Sequence, residues 1–112
     1  MAKLSDWKNQ TEELRRMGVK LPQCDTDTIK ATGWEQPRWI HFGAGNLYRA
    51  FHAAIAQELA DQGKLDRGVV VAETFSPSTL VEVFAPYGYD GLQVIMNADG
   101  TLDERVIAVN AG

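Results

Sequence analysis

The feature that most constrains the fold is a pair of closely spaced glycines, Gly43 and Gly45, between an apolar run and a helix-forming run. The apolar run, Trp39 to Phe42, consists of residues that favour a β-strand and is delimited by Pro37 and Gly43. From Asn46 onward, apolar residues recur every four positions with alanines between them, which predicts a helix. A strand, a glycine turn and a helix in this order predict the beginning of a βαβ unit.

The predicted helix and the strand after it complete that unit. The helix is expected to carry an apolar face with a four-residue spacing, formed by Leu47, Phe51, Ile55 and Leu59. Three of its polar side chains are expected to point outward: Gln57, Glu58 and Asp61. Gly63 is a helix stop signal, and the run GVVVAE that ends at Glu73 predicts a second, buried strand.

The flanking segments complete the predicted architecture. A short N-terminal helix that ends at Gly18 is followed by a polar stretch, residues 19–37, whose composition predicts a connecting arm with at most one helical turn. Ser76-Pro77 begins another short helix, and Asp99-Gly100 predicts a hairpin between Leu92–Met96 and Glu104–Val109. We therefore predict an α/β chain: residues 1–37 as helix and arm, and residues 38–112 as a partial Rossmann-like βαβ dinucleotide-binding fold with a C-terminal β-hairpin.

The glycine turn suggests a chemistry. In dinucleotide-binding units the first glycine permits a tight turn, and the second lets a pyrophosphate approach the backbone at the helix N-terminus. Glu73, at the end of the second strand, is expected to bind the hydroxyl groups of the adenosine ribose, and its charge favours NAD over NADP. The predicted cofactor contacts are Gly43, Ala44, Gly45, Asn46, Arg49 and Glu73. Tyr48 stands where the general fingerprint has a third glycine.

Two other functions fit the same outline. S-adenosylmethionine-binding domains also use a glycine-rich first turn, but they usually carry an acid just before it, where this chain has His41 and Phe42. A non-catalytic interaction module could keep the βαβ frame without any cofactor. A nucleoside triphosphate loop is excluded, because no Gly-Lys-Ser/Thr sequence follows the turn.

Composition narrows the partners and the compartment. The 112 residues carry a net charge of −4 without a basic cluster, which argues against nucleic-acid binding. The N-terminus is too polar for a secretory signal, and no apolar run approaches membrane-spanning length. The single cysteine, Cys24, cannot form an internal disulfide, so we expect a cytoplasmic protein. His41 and His52 lack further ligands at metal-binding spacing, and no metal site is expected.

The run HFGAGNLYRAFHA, residues 41–53, resembles the glycine turn of the mannitol dehydrogenase family, which includes long-chain polyol dehydrogenases and hexuronate reductases. The family pattern is Gly-x-Gly-Asn-x-x-Arg, and four residues match it: Gly43, Gly45, Asn46 and Arg49. That pattern does not require glycine at the position of Tyr48. Family members often carry Asp at the end of the second strand, where this chain has Glu73.

The resemblance implies an N-terminal, NAD-binding portion of an enzyme that transfers hydride between NAD and a sugar alcohol or keto-sugar acid. The family's catalytic lysine and its Asn and His partners belong to a C-terminal domain and have no counterparts in this sequence. We therefore expect no catalytic residue here and an inactive fragment. Because one half of a dinucleotide fold leaves apolar surface uncovered, self-association is also expected.

Overall fold

The computed structural model describes residues 4–111, apart from the side chain of Ser5, and folds them into two three-stranded sheets flanked by helices. The α-helices are α1 (Thr11–Arg16), α2 (Thr26–Glu35) and α3 (Ala53–Asp61). The strands are β1 (Val19–Lys20), β2 (Ile40–Phe42), β3 (Val69–Ala72), β4 (Gly91–Met96), β5 (Leu102–Ile107) and β6 (Asn110–Ala111). No helix in residues 4–111 is both long and apolar enough to cross a membrane.

The first sheet is parallel and has the order β2-β3-β6. Its register pairs Ile40 with Val70 and Phe42 with Ala72, so the strand before the glycine turn lies beside the strand that precedes Glu73. The helical segment 48–61 connects these two parallel strands. The carboxyl ends of β2 and β3 therefore meet at one edge of the sheet, where open α/β sheets place their ligands.

The second sheet has the order β1-β5-β4 and contains an antiparallel pair, β4 with β5, on either side of the predicted Asp99-Gly100 turn. β1 adds to it in parallel, opposite Glu104 and Arg105 of β5. The chain passes from β5 into β6 at residues 108–109 and so leaves this sheet to join the parallel one. One continuous segment thus fixes the two sheets relative to each other.

The expectation of a connecting arm at residues 19–37 is wrong, because this segment contains β1 and the ten-residue helix α2. Asp25 caps α2 by accepting a hydrogen bond from the Thr28 backbone N–H at 3.2 Å. Gly33 of α2 packs directly against the backbone of Gly68, where an added Cβ would lie 2.6 Å from the carbonyl oxygen. The Asp and Thr residues of this segment are common in turns, but here they cap and form the first turn of a helix.

The N-terminal helix is also interrupted, since a 3₁₀ segment, Leu4–Asn9, precedes α1 and contains non-helical dihedral angles at Asp6. Leu14 of α1 belongs to a small core beneath the second sheet, formed by Trp7, Leu14, Val19, Leu21, Val106 and Ala108. The Trp7 indole N–H also donates to Asp90 at 2.6 Å, and Lys30 pairs with the same carboxylate. The N-terminal residues are therefore packed onto the hairpin.

The helical segment after the glycine turn packs through a different face from the one its sequence predicts. It begins at Asn46, passes through a π-helical turn, Tyr48–His52, and continues as α3. The buried face carries Tyr48, Ala53, Ala56, Gln57 and Ala60, whereas Leu47, Phe51 and Ile55 are exposed. The five-residue spacing of the π turn joins Tyr48 to Ala53 and displaces the buried face from the predicted four-residue period.

Gln57 was expected to point outward and is instead fully buried. Its side-chain oxygen accepts a hydrogen bond from the Ala108 backbone N–H at 2.7 Å, and its amide donates to Asp61 at 2.9 Å. Asp61 is also largely buried, beside Arg105 of β5. The physical reason is that the chain leaves one sheet at Ala108, so its backbone N–H needs an acceptor from a side chain.

The predicted Ser76-Pro77 helix is present as a π-helical turn, Leu80–Phe84, that continues into a 3₁₀ turn, Ala85–Tyr87. Phe84 is buried in the main core, while Val81 is exposed. The segment ends at Gly88, which has a left-handed conformation with φ of 62°.

Candidate functional site

The glycine turn lies at the carboxyl end of β2, and its two glycines differ in what they require. Gly43 has φ of 106°, a conformation that side chains rarely adopt, and its N–H donates to the Ala72 carbonyl at 2.8 Å. Gly45 has no such conformation, and a Cβ added there would meet nothing within 4 Å. Gly43 therefore shapes the turn, whereas Gly45 keeps the space above it open.

Glu73 contacts this turn directly. One carboxylate oxygen accepts the Ala44 backbone N–H at 2.7 Å, and the other accepts those of Phe75 and Ser76, each at 3.1 Å. These three donors, with Ala44 contributing most, lower the pKa of Glu73 below its usual value. The carboxylate therefore stays ionised and links the end of β3 to the turn after β2.

Asn46 and Arg49 contact each other, since an Arg49 guanidinium nitrogen donates to the Asn46 side-chain oxygen at 2.6 Å. The Asn46 side-chain oxygen thus accepts from arginine, and no side-chain hydrogen bond caps the π turn. The Nε atom of Arg49 is buried without a hydrogen-bond partner. Arg49 also lines a cavity of about 240 Å³ between the hairpin and the Leu80–Tyr87 segment. The positively charged guanidinium of Arg49 is therefore held close to the beginning of the helix.

Tyr48, in the place of a third glycine, is buried beneath the helix. Its ring lies 4.4 Å from that of His41 on β2, and its hydroxyl donates to the Asn110 side-chain oxygen at 2.5 Å. Burial raises the pKa of Tyr48, so the phenol remains protonated. In other dinucleotide-binding folds the third glycine allows the helix to pack closely on the strand. Here the Tyr48 ring lies between the helix and β2 instead.

Two histidines belong to the same region, although the sequence pattern indicated no role for them. His41 Nδ1 lies 3.0 Å from the Gly43 carbonyl oxygen, and the His41 and His52 rings are 5.0 Å apart. His52 Nδ1 is buried without a hydrogen-bond partner. His52 follows Tyr48 by four residues, and this helical spacing was the available signal for the cluster.

The predicted residues form two pairs around one turn. Glu73 contacts Ala44, and Arg49 contacts Asn46. The six predicted positions lie in or next to this turn in contact or in sequence: Gly43, Ala44, Gly45, Asn46, Arg49 and Glu73. The carboxylate of Glu73 and the guanidinium of Arg49 are thus both attached to the turn that follows β2.

A curated relative of known name aligns with most of this chain. D-mannonate oxidoreductase of Thermotoga maritima is 39% identical over 93 residues, which are 83% of this chain and 17% of the relative. The chain therefore spans about one sixth of the length of that protein. No protein-family model matches the sequence.

Two solved structures share the fold. A substrate-free D-sorbitol dehydrogenase superposes with a TM-score of 0.66 and 23% identity, over 83% of this chain and 18% of its own. Mannitol 2-dehydrogenase of Pseudomonas fluorescens, in a ternary complex with NAD and D-mannitol, gives a TM-score of 0.68 and 20% identity over 88% of this chain and 20% of its own. Both neighbours thus align with nearly the whole chain through a small part of a longer protein.

Proposed function

Because this chain belongs to the mannitol dehydrogenase family, we propose that it is the NAD-binding portion of an oxidoreductase that acts on a sugar alcohol or keto-sugar acid. The proposed cofactor-binding part is residues 38–112, a partial Rossmann-like fold, and residues 1–37 support it. The curated relative is named for D-mannonate, and the Pseudomonas neighbour contains D-mannitol. A polyhydroxylated substrate of this class is the natural extension of those names.

The observation that carries the proposal is the open space at Gly45 beside the carboxylate of Glu73. A pyrophosphate needs backbone without a side chain, and an adenosine ribose needs an acid at the end of the next strand. The open space at Gly45 and the carboxylate of Glu73 support these two assignments, since both lie at one edge of the parallel sheet. The contact between Glu73 and Ala44 supports this fit, because it holds the two binding elements together before any ligand arrives.

The proposed roles follow from the geometry. Gly43 and Gly45 let the pyrophosphate approach, and Ala44 and Asn46 contribute the backbone between and after them. Arg49 adds positive charge close to the phosphates, and Glu73 accepts the ribose hydroxyl groups. Glu73 already accepts three backbone N–H groups, so ribose binding uses its remaining acceptor capacity.

When bound, NAD supplies the hydride acceptor or donor, while the protein binds and orients it. The residues of this chain have no proposed step in proton transfer. The resemblance assigns that step to a lysine of a C-terminal domain, and we propose that this chain alone is inactive.

The test is a titration with NAD and with ADP-ribose, followed by calorimetry and thermal shift. We expect weak binding to the wild-type chain and its loss in Gly45→Val, because the valine fills the space that the pyrophosphate needs. A Cβ at this position meets no atom within 4 Å, and Gly45 has no positive φ, so the variant is expected to fold. Gly91→Val is the matched control, since a Cβ at Gly91 also meets nothing within 4 Å.

Equal affinities of the wild-type chain and Gly45→Val would contradict the proposal, as would equal losses in both valine variants. S-adenosylmethionine serves as a competing ligand in the same assay. A stronger thermal shift with S-adenosylmethionine than with NAD would favour the methyl-transfer class of domain.

A further inference from the structure

His41, on β2, directs a ring nitrogen at the turn that follows the strand. Residues two apart along an extended chain lie on the same face, so the His41 side chain can reach Gly43, which has no side chain of its own. His41 Nδ1 lies 3.0 Å from the Gly43 carbonyl oxygen. Because a carbonyl oxygen only accepts hydrogen bonds, Nδ1 must carry a proton and donate it in this contact. A neutral His41 therefore has its proton on Nδ1.

The peptide group that His41 contacts is also held at its other end. The Gly43 carbonyl and the Ala44 N–H belong to one planar peptide unit. The Ala44 N–H donates to Glu73 at 2.7 Å, while the Gly43 carbonyl accepts from His41. One partner thus comes from β2 and the other from the end of β3. A rotation of this peptide would break both hydrogen bonds at once.

This peptide is the first one of the glycine turn, and its orientation needs to be fixed from outside. Gly43 has φ of 106°, and a glycine has several other conformations within reach because it lacks a Cβ. Hydrogen bonds at both ends of the peptide select one of them. On the basis of the cofactor site proposed for this turn, we propose that His41 is a positioning residue that fixes the Gly43–Ala44 peptide before NAD binds.

The imidazole ring is itself held in place by the helical segment. The Tyr48 ring lies 4.4 Å from the His41 ring, and the His52 ring lies 5.0 Å from it. Tyr48 is buried and its hydroxyl donates to Asn110, so this ring cannot withdraw without losing a buried hydrogen bond. A side chain whose rotamer is locked by such packing is suited to position another group.

A ring that only filled space would behave differently on substitution. Packing against Tyr48 and His52 needs no N–H donor, whereas the contact with Gly43 needs one at the position of Nδ1. Asparagine places its amide N–H close to that position, and leucine has a similar size without a donor. Both substitutions remove the imidazole. The difference between His41→Asn and His41→Leu therefore reports the donor and not the ring.

The tautomer of His41 is the first test, and it needs neither a variant nor a cofactor. Long-range ¹H–¹⁵N correlation spectra of the wild-type chain distinguish a proton on Nδ1 from a proton on Nε2. At about pH 8.5, where histidine side chains are ordinarily neutral, we expect the proton on Nδ1. A proton on Nε2 would overturn the proposal, because Nδ1 could then not donate to the Gly43 carbonyl. This measurement decides the point even where a variant fails to fold.

Hydrogen exchange of the Ala44 amide is the second test. We expect exchange in His41→Leu to be roughly three- to tenfold faster than in His41→Asn, which corresponds to the net contribution of one hydrogen bond. His41→Asn should stay close to the wild type. Equal exchange rates in the two variants would overturn the proposal.

Calorimetric titration with NAD connects the fixed peptide to the cofactor. His41→Asn should bind NAD like the wild type, and His41→Leu roughly three- to tenfold more weakly, because binding must then also order the peptide. Equal affinities of the two variants would overturn the positioning role. A wild-type chain that binds no NAD, yet has the proton on Nδ1 and the expected exchange rates, would contradict the proposed function while supporting the fixed peptide.

Discussion

Two helical segments of this protein contact the parallel sheet through residues of very different size, a glycine in one and a tyrosine in the other. α2 approaches through Gly33, whose Cα faces the backbone of Gly68. In the segment Tyr48–Asp61, the buried ring of Tyr48 contacts β2 instead, with its centroid 4.4 Å from that of His41 in a tilted arrangement. The close contact that a third glycine would allow is therefore made by α2, in a segment predicted to be a connecting arm.

The largest expected effect follows from removing the buried ring of Tyr48, which contacts His41 of β2. Tyr48→Ala should lower the free energy of unfolding by about 3–5 kcal/mol, because a fully buried aromatic ring is replaced by a cavity. Denaturant unfolding measures the loss. Phe75→Ala is the control, since Phe75 is 96% exposed, and it should leave the stability within about 0.5 kcal/mol of the wild type. A smaller loss in Tyr48→Ala than in this control would contradict the packing.

A smaller loss should follow when the close contact is broken. Gly33→Ala places a Cβ 2.6 Å from the Gly68 carbonyl oxygen and 2.7 Å from its nitrogen, so backbone must move. Overpacking of this kind costs about 1–3 kcal/mol, and the higher helix propensity of alanine offsets up to about 1 kcal/mol of it. Thermal unfolding of Gly33→Ala beside Gly91→Ala measures this. A stabilised Gly33→Ala protein would refute the contact with Gly68.

The hydroxyl group of Tyr48 tests a smaller contribution, the hydrogen bond to Asn110. Tyr48→Phe keeps the ring and removes the 2.5 Å hydrogen bond to the buried Asn110 side chain. We expect a loss of about 1 kcal/mol in the free energy of unfolding, because Asn110 loses a partner. Tyr87→Phe, on a half-exposed ring, is the matched control. Indistinguishable stabilities of the two variants would show that the Asn110 contact contributes nothing.

The smallest expected effect concerns the turn between β2 and the second helical segment. Hydrogen bonds from Ala44, Ser76 and Phe75 lower the folded-state pKa of Glu73 below its ordinary value of 4.5. Since the folded pKa is the lower one, the contribution to stability is present above pH 4.5 and is lost as pH falls through the folded pKa.

Titration of the Glu73 side-chain carbon by NMR measures this shift. The expected midpoint lies below pH 4.5, and the Ala44 amide should remain protected from exchange down to that midpoint. Glu73→Gln, which cannot ionise, should abolish the pH dependence of this protection. A midpoint at or above 4.5 would contradict the hydrogen bonds assigned to the carboxylate.

The sequence was sufficient for the elements whose signals are local. Pro37 and Gly43 delimited β2, and the apolar run before Glu73 marked β3. The Asp99-Gly100 pair lies between two antiparallel strands, although the second strand is Leu102–Ile107 and not the predicted Glu104–Val109. The glycine turn could be located from the spacing of Gly43 and Gly45. The positive φ of Gly43 is a conformation that glycine adopts readily, so this local feature needs no distant partner.

What the sequence did not predict depends on distant partners. Gln57 is buried because the Ala108 N–H, far along the chain, needs an acceptor when the strand changes sheets. Leu47, Phe51 and Ile55 recur every four residues, as the core residues of a helix do, yet they are exposed. The π turn at Tyr48–His52 changes which face of the segment meets the sheet. Glu73 was expected to reach a ribose, and its contact with Ala44 depends on the parallel register of β2 and β3.

The most direct test of the account is amide mapping by NMR while NAD is added to the ¹⁵N-labelled chain. The largest shifts are expected at residues 43–46 and at residues 73–76, with smaller changes in the hairpin. The same shifts should be absent in Gly45→Val, whose spectrum should otherwise remain that of a folded protein. Shifts confined to the hairpin, or none at millimolar NAD, would contradict the assignment of a cofactor site to the glycine turn.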